Sequence, residues 1–439
     1  MTPVAAAALA LSLCLLLASG VQARPPGDLD RSFGGRGFLL NARLGQVEMA
    51  QDARGRLLIA GGREGELLAA RYLPDGSPDR RFGMNGLTRI ALPGFGSEPA
   101  VSASVRAVAV QADGKLLIGG SFRPVSNSGL GPSAVLVRLK PNGALDTEFG
   151  SQAQDNQRGL VILSARESIS AIAFQGEKIL VGGTSGRGFV GRFNPDGSLD
   201  RSFGGGRLGG WFNLPPRPQG TRVKVDAGVE ELMVGPRRMI YAAGYANGSF
   251  MLARLRSDGH LDRRFGAGGI VKTNAAKRRA CACSVGEGLA RDGRGRLLVS
   301  GSVLARPRGR HRSIAVARFR QDGALDRSFA ANGIARTRVG SETWGGPLAI
   351  QPDGRIVVAG SVGVGNGTFR LALVGYRPTG RLDPSFFGDG IFKGSFGAAS
   401  SEATDLLVER QGRIVVAGAA GFGPRSKGGQ SALLARLTP

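Results

Sequence analysis

Pro195-Asp196-Gly197-Ser198-Leu199-Asp200-Arg201-Ser202-Phe203-Gly204 is one of seven near-copies of a segment built around Leu-Asp-x-Ser-Phe-Gly. Its phenylalanine recurs at Phe33, Phe82, Phe149, Phe203, Phe265, Phe329 and Phe386, at intervals of 49, 67, 54, 62, 64 and 57 residues, with a mean near 59. A motif returning at such a period marks a chain of like modules, each too small to bury its own apolar face. Between copies lie an Asp-Gly-Lys/Arg turn, an apolar run ending in glycine, and a Leu-Ala-Arg-Leu run. In the second unit these are Asp113-Gly114-Lys115, Leu116 to Gly120, and Leu136 to Leu139.

Each unit carries four short apolar stretches, roughly 37–43, 46–51, 56–61 and 66–72 in the first. They have strand length, are rich in Val, Ile and Leu, and are bounded by Gly, Pro, Asp or Asn. An Asp-Gly pair between two such runs predicts a hairpin, read here as a type I′ turn with positive φ at both central residues. Four strands per unit, repeated around an axis, describe the blade of a β-propeller.

Spacing closes the ring. From the arginine of the fourth strand to the next phenylalanine there are always 11 residues: Arg71 to Phe82, Arg138 to Phe149, Arg192 to Phe203, Arg254 to Phe265 and Arg318 to Phe329. Gly375 replaces the arginine before Phe386 at the same distance. The other intervals vary, so the fixed segment reads as the connection between blades. After Arg436 come Leu437, Thr438 and Pro439; joined to Pro26 and Gly27, they complete the same spacing without gap or surplus. An open solenoid would need atypical capping units instead. The expected fold is all-β: a seven-bladed propeller closed between its N- and C-terminal ends.

The pattern resembles the delta-60 repeat family of bacterial proteins over essentially all of 26–439. The resemblance implies a propeller-like fold in exported or surface-associated proteins, and it brings no activity or ligand. Departures are isolated: Pro78 for Leu, Glu148 for Ser, Ala330 for Gly and an extra Phe387.

Residues 1–23 hold no charged side chain, an apolar run from Ala5 to Leu17, and Val21-Gln22-Ala23 as a small-x-small cleavage site. This is the layout of a secretory signal peptide, followed by one propeller domain over 24–439. The apolar stretch is short for a membrane span, and none follows that is longer. The expected location is extracellular or in the cell envelope, periplasmic if the source has an outer membrane. Cleavage removes Cys14 and leaves Cys281 and Cys283, which provides no disulfide framework. Two residues apart on an extended segment, the two could bridge only under strain.

A residue present in every unit is better explained by architecture than by binding. The seven phenylalanines are expected to fill gaps between blades. The repeated Asp30, Asp79, Asp146, Asp200, Asp262, Asp326 and Asp383 suit turn N–H groups. Each also lies eight residues beyond a strand arginine, or beyond Gly375, so an Asp–Arg pair at each junction is open. As calcium ligands they are a poor set, since no Asp-x-Asp spacing exists.

Strands in a meander place the first and third loops of each unit on one face, where loop length varies, and uniform turns on the other. Variable loops on a rigid scaffold are the usual seat of binding. The net charge is +25, from 58 Lys+Arg against 33 Asp+Glu. On the variable face, Lys277, Arg278 and Arg279 in one loop adjoin Arg306, Arg308, Arg310 and Arg312 in another, with Arg217, Arg222 and Lys224 extending the patch. Such a patch suits an acidic polysaccharide or the acidic face of a protein. Nucleic acid is disfavoured, because no aromatic residues interleave for base stacking. A merely solvated surface explains the same run. Trp211 and Trp344 sit near variable loops, as carbohydrate platforms or as packing. The sequence predicts a monomer with no cofactor and no metal site; His311 beside the two cysteines lacks a fourth ligand.

Only His260 and His311 exist, and no nucleophile elbow, dinucleotide fingerprint or phosphate loop occurs. The expected function is non-enzymatic binding or surface interaction. The alternative is a propeller hydrolase or lyase acting on a sugar or lactone, with carboxylates from several blades gathered at the central channel.

Overall fold

Runs such as Leu57-Leu58-Ile59-Ala60 are buried along their whole length. A strand meets that condition only with neighbours in its own sheet and further sheets packed on both faces. The computed structural model supplies both. It describes residues 28–93, 100–124, 132–150, 158–165, 168–205, 209–215, 226–275, 284–304, 311–397, 399–421 and 430–439. Among these residues the strands form seven sheets, each of four antiparallel strands. No regular helix forms among them; Pro236–Arg238 makes a single turn in which Arg237 and Arg238 have positive φ. None of the described residues forms a helix long and apolar enough to cross a membrane.

The innermost strands are Val47–Gln51, Ala100–Val110, Ser168–Gln175, Ala227–Val234, Ser284–Arg291, Glu342–Ile350 and Ser400–Val408. These strands contact one another around a central axis. The last sheet draws on both ends of the chain. Phe38–Asn41 pairs with Ala432–Ala435 as its outer strand, beside Ile414–Gly421 and Ser400–Val408. Asp30 N–H donates to the Arg436 carbonyl (2.8 Å) and Thr438 N–H to that of Asp28 (2.8 Å). The ring is therefore closed by strand exchange.

Two details differ from the reading of the sequence. The repeat unit is out of phase with the blade by one strand. The first blade comprises Val47–Gln51, Leu57–Arg63, Glu66–Tyr72 and Leu87–Ala91, so the fixed 11-residue segment joins its third and fourth strands. The crossing between blades is the variable first loop. The fixed length has another cause: the segment must reach the next blade. Gly83 N–H donates to the Asn142 carbonyl (2.8 Å) and Gly150 N–H to that of Asp196 (2.8 Å), and the same bond recurs from Gly34, Gly204, Gly266 and Ala330.

The Asp-Gly hairpins are also not type I′. At Gln111–Lys115 only Gly114 has positive φ (84°), and its N–H donates to the Gln111 carbonyl (2.9 Å). This is a three-residue loop, a type I turn followed by a left-handed glycine. The Asp113 carboxylate accepts the Lys115 N–H (3.0 Å), which holds the aspartate in the right-handed region. True two-residue loops with positive φ at both positions occur at Asn247-Gly248 and Asn366-Gly367.

Each repeated phenylalanine is buried in a core shared by two blades; Phe82, for example, belongs to a cluster with Leu58 and Leu67 of one blade and Leu116 and Val137 of the next. Over it lies the strand arginine. The Arg138 guanidinium stands 4.4 Å from the Phe149 ring centre, its Nε donates to Asp146 (2.8 Å), and its Nη1 donates to the Pro195 carbonyl of the following blade. The same arrangement holds for Arg71–Asp79, Arg192–Asp200, Arg254–Asp262, Arg318–Asp326 and, across the chain ends, Arg436–Asp30. Although burial opposes it, hydrogen bonds from Ser202 and Lys178 and the Arg192 charge hold Asp200 down at about 2. At the seventh junction a Cβ on Gly375 would lie 2.6 Å from the Phe386 ring, so the phenylalanine fills the arginine's place. The ion pair of Asp383 there is with the exposed Arg377, at 3.6 Å.

Asp146→Ala leaves a buried guanidinium unpaired and is expected to cost about 3 kcal/mol. Asp383→Ala removes little beyond turn hydrogen bonds, for a loss of about 1 kcal/mol. Denaturant midpoints of the two variants measure the difference, and equal losses would contradict the bridging role assigned to the arginine.

Candidate functional site: an axial pocket

An inner strand that ran regularly would turn its side chains alternately to the two faces of its own blade. Six of the seven instead carry a register break at one level. The extra residues are Arg106, Ser170, Glu230, Glu287, the pair Gly346-Pro347, and Thr404. A bulge of this kind re-aims a side chain and frees backbone groups from the ladder. Here it turns residues from successive blades onto the axis. They line a pocket of about 320 Å³ together with Gln46, Glu48, Glu231, Ser361, Glu402 and Asp405.

The pocket is acidic in a strongly basic chain. Glu48, Glu230, Glu231, Glu287, Glu402 and Asp405 face one arginine, Arg106, whose Nη2 donates to Glu230 (3.3 Å). Part of this acidity serves the backbone. Asp405 accepts the N–H of Met49 (2.9 Å) from the neighbouring blade and that of Leu406 (2.7 Å), and Glu231 accepts that of Leu232 (3.0 Å). Glu48 and Glu287 make no hydrogen bond or ion pair among the described residues, so the backbone does not account for them. Burial pushes Glu231 and Glu287 up to about 8 and Asp405 to about 6. Burial, with the neighbouring Asp405 charge, raises Glu48 well above the usual carboxyl range. At neutral pH several of these groups are protonated and can donate as well as accept.

One wall is Trp344, 39% exposed. The Arg312 guanidinium lies 3.6 Å from its ring centre. Burial lowers the Arg312 proton affinity, and the Glu287 and Glu342 carboxylates counter that. Both residues stand near the variable-loop ends of their strands, so the pocket lies toward that face.

Of the basic patch expected there, only Arg312 is described, and its guanidinium lies over the Trp344 indole. Lys277, Arg278, Arg279, Arg306, Arg308, Arg310, Arg217, Arg222 and Lys224 lie outside the described residues, as do Cys281 and Cys283. Trp211 packs edge-on against Phe189 (5.2 Å) and Phe193 (5.6 Å) inside the blade. His311 meets Arg338 (3.2 Å). Among the described residues no group of three His, Cys, Asp or Glu is placed to hold a metal ion.

Three segments, 111–149, 178–203 and 351–386, match a family model described as Domain of unknown function (DUF5122) beta-propeller. No curated protein matches the chain. Among solved structures it is similar to the extracellular domain of a protein described as a hybrid two component system of B. thetaiotaomicron, at 12% identity and a TM-score of 0.45, covering 90% of this chain and 39% of that one. A protein of unknown function from Dyadobacter fermentans gives 10% identity and a TM-score of 0.42, covering 91% and 99%. A glucose dehydrogenase gives 13% and 0.36, covering 72% and 92%.

The displaced carboxyls set the sign of a pH effect. Glu231 and Glu287 keep a proton in the folded ring up to about pH 8 but release it near 4.5 when unfolded. The folded state then binds more protons across that window, so stability falls as pH rises through it. Asp200 acts oppositely: its contribution is full above 3.8 and is lost as pH falls toward 2. Thermal unfolding is expected to be most resistant near pH 4 to 5, with Glu231→Gln combined with Glu287→Gln flattening the decline toward pH 8. A decline as steep as in the wild type would show that these two groups do not hold the protons.

Proposed function

We propose that this chain is an exported, non-enzymatic binding propeller of the delta-60 type, processed after Ala23, that meets its partner with the variable-loop face. At the centre of that face the axial pocket seats a cationic group of the partner, an amine or a guanidinium. The observation that carries this reading is the convergence of six carboxyl side chains on one small pocket in a chain of net charge +25. Arg312 serves as an internal example of part of this chemistry: a guanidinium held over the Trp344 ring. Cation–π contact and carboxylate pairing strengthen each other where water is partly excluded. The pocket volume suits a side-chain-sized group, whether on a small molecule or on a protein.

The basic residues that the sequence assigns to the variable loops are read as extending the contact. Their charge favours an acidic polysaccharide or the acidic face of a protein partner, which would still have to place a cation or a hydrogen-bond donor over the axis. A second reading, a hydrolase or lyase acting on a sugar or lactone, is favoured by one feature. Asp405 at about 6 and Glu231 and Glu287 at about 8 are carboxyls of unequal proton affinity, as acid–base catalysis requires.

The test uses N-acetyl-arginine amide, whose single charge does not change with pH. Calorimetric titration of the full chain is expected to show saturable binding that tightens from pH 6 to pH 9 as the carboxyls ionise. Proton release should accompany binding at pH 7. Glu48→Gln combined with Glu287→Gln should abolish it. Absence of binding at both pH values, or binding indifferent to these substitutions, would refute the cation-seating role.

A further inference from the structure

We propose a second binding site on the opposite face of the ring, an arginine-lined groove across the fourth blade (Ala227–Thr273) that takes a linear acidic polysaccharide. It does not depend on the axial reading. Two hollows lie side by side on this face, of about 1020 Å³ toward the third blade and about 490 Å³ toward the fifth. They share Arg237, Met239, Asp262 and Arg264, so the two form one track. Six arginines line it, Arg237, Arg254, Arg256, Arg263, Arg264 and Arg291, against the single carboxylate of Asp262.

The charges are not all spent internally. Arg254 is committed to Asp262 (2.7 Å) and Arg256 to Asp258 (3.1 Å). Arg237, Arg263, Arg264 and Arg291 have no carboxylate partner among the described residues and are exposed. A solvated surface would show as much, but the hairpin that presents Arg237 adds a second observation. Five other hairpins place a left-handed glycine at the position before the second strand resumes: Gly55, Gly114, Gly295, Gly354 and Gly412. In Gly235-Pro236-Arg237-Arg238-Met239 that position is Arg238 (φ 58°), and Arg237 before it is left-handed too (φ 57°). Two consecutive non-glycine residues in that region each cost about 1 kcal/mol or more.

The backbone does not require arginine there. The Arg238 carbonyl accepts from Gln175 (2.8 Å), but the Gly412 carbonyl accepts from Gln351 (3.1 Å) in the same way with glycine in place. Arg238 itself lines neither hollow, but the turn it completes carries the Arg237 side chain into both. Local rules broken without structural gain are expected at sites of function.

Guanidinium groups match carboxylate and sulfate oxygens two at a time. Hollows in line, joined through shared arginines, fit a chain carrying anions at intervals better than a single phosphate. Tyr241 is buried, so it offers no face for stacking bases.

Immobilised polygalacturonate tests the assignment with the full chain and two variants. Wild-type retention should weaken with salt. Arg237→Ala combined with Arg264→Ala, both exposed and unpaired, should weaken binding about tenfold at 0.15 M salt. Its unfolding temperature, measured in parallel, should not fall. Arg381→Ala combined with Arg410→Ala, exposed on other blades and outside the groove, should bind as the wild type does, and galacturonate monomer should compete poorly. Wild-type affinity in the groove variant, or an equal loss in the Arg381/Arg410 variant, would overturn the groove. Equal capture of single-stranded DNA with the same dependence on Arg237 and Arg264 would overturn the polysaccharide assignment.

Discussion

The ring rests on a guanidinium held on three sides. At six junctions a strand arginine lies over a buried phenylalanine, pairs with an aspartate (eight positions on at five of them, Asp30 across the chain ends at the sixth), and donates to a carbonyl of the next blade. Each contact fixes a different coordinate. The ring sets the height between blades, the aspartate ties the arginine to its own turn, and the carbonyl sets the angle to the neighbour. A buried ion pair adds little net stability by itself, because two charges lose their water. Its value here is geometric: the same junction joins one blade to the next at six places around the axis.

That constraint was legible in the sequence because it is spelled in one register. Phe, Asp and Arg sit at invariant offsets, so blade number, strand count and the meeting of Arg436 with Asp30 follow from counting. The phase was not legible. The fixed segment looked like the link between blades because invariance suggested a junction, and a junction it is, but one made by hydrogen bonds to the next blade while the chain stays in its own.

The axial pocket was hidden for a related reason. Its carboxyls come from different units and share no motif. They do share a position: counted back from the first residue of each hairpin, the fifth and fourth residues include Arg106, Ser170, Glu230, Glu231, Glu287, Thr404, Asp405 and Glu48. A bulge at that level is what makes two adjacent residues face the axis, and bulges leave no mark in a pattern of alternating apolar residues. The arginine groove escaped for the opposite reason. It lies on the face with uniform turns, where nothing in loop length points to binding, and its one clue is an Arg-Arg pair where glycine is the rule.

Because the outer strand of the last blade comes from residues 38–41 and its other three from residues 400–437, this sheet cannot form until nearly the whole polypeptide is present. The intervening blades join segments close in sequence and can collapse as they are made. Pairing Phe38 with Ala435 instead closes the longest loop in the molecule, with the entropy that entails. The clasp is thus the last part of the ring to assemble and the natural first to open. The early strand must wait unpaired, its edge exposed, for a partner synthesised almost four hundred residues later.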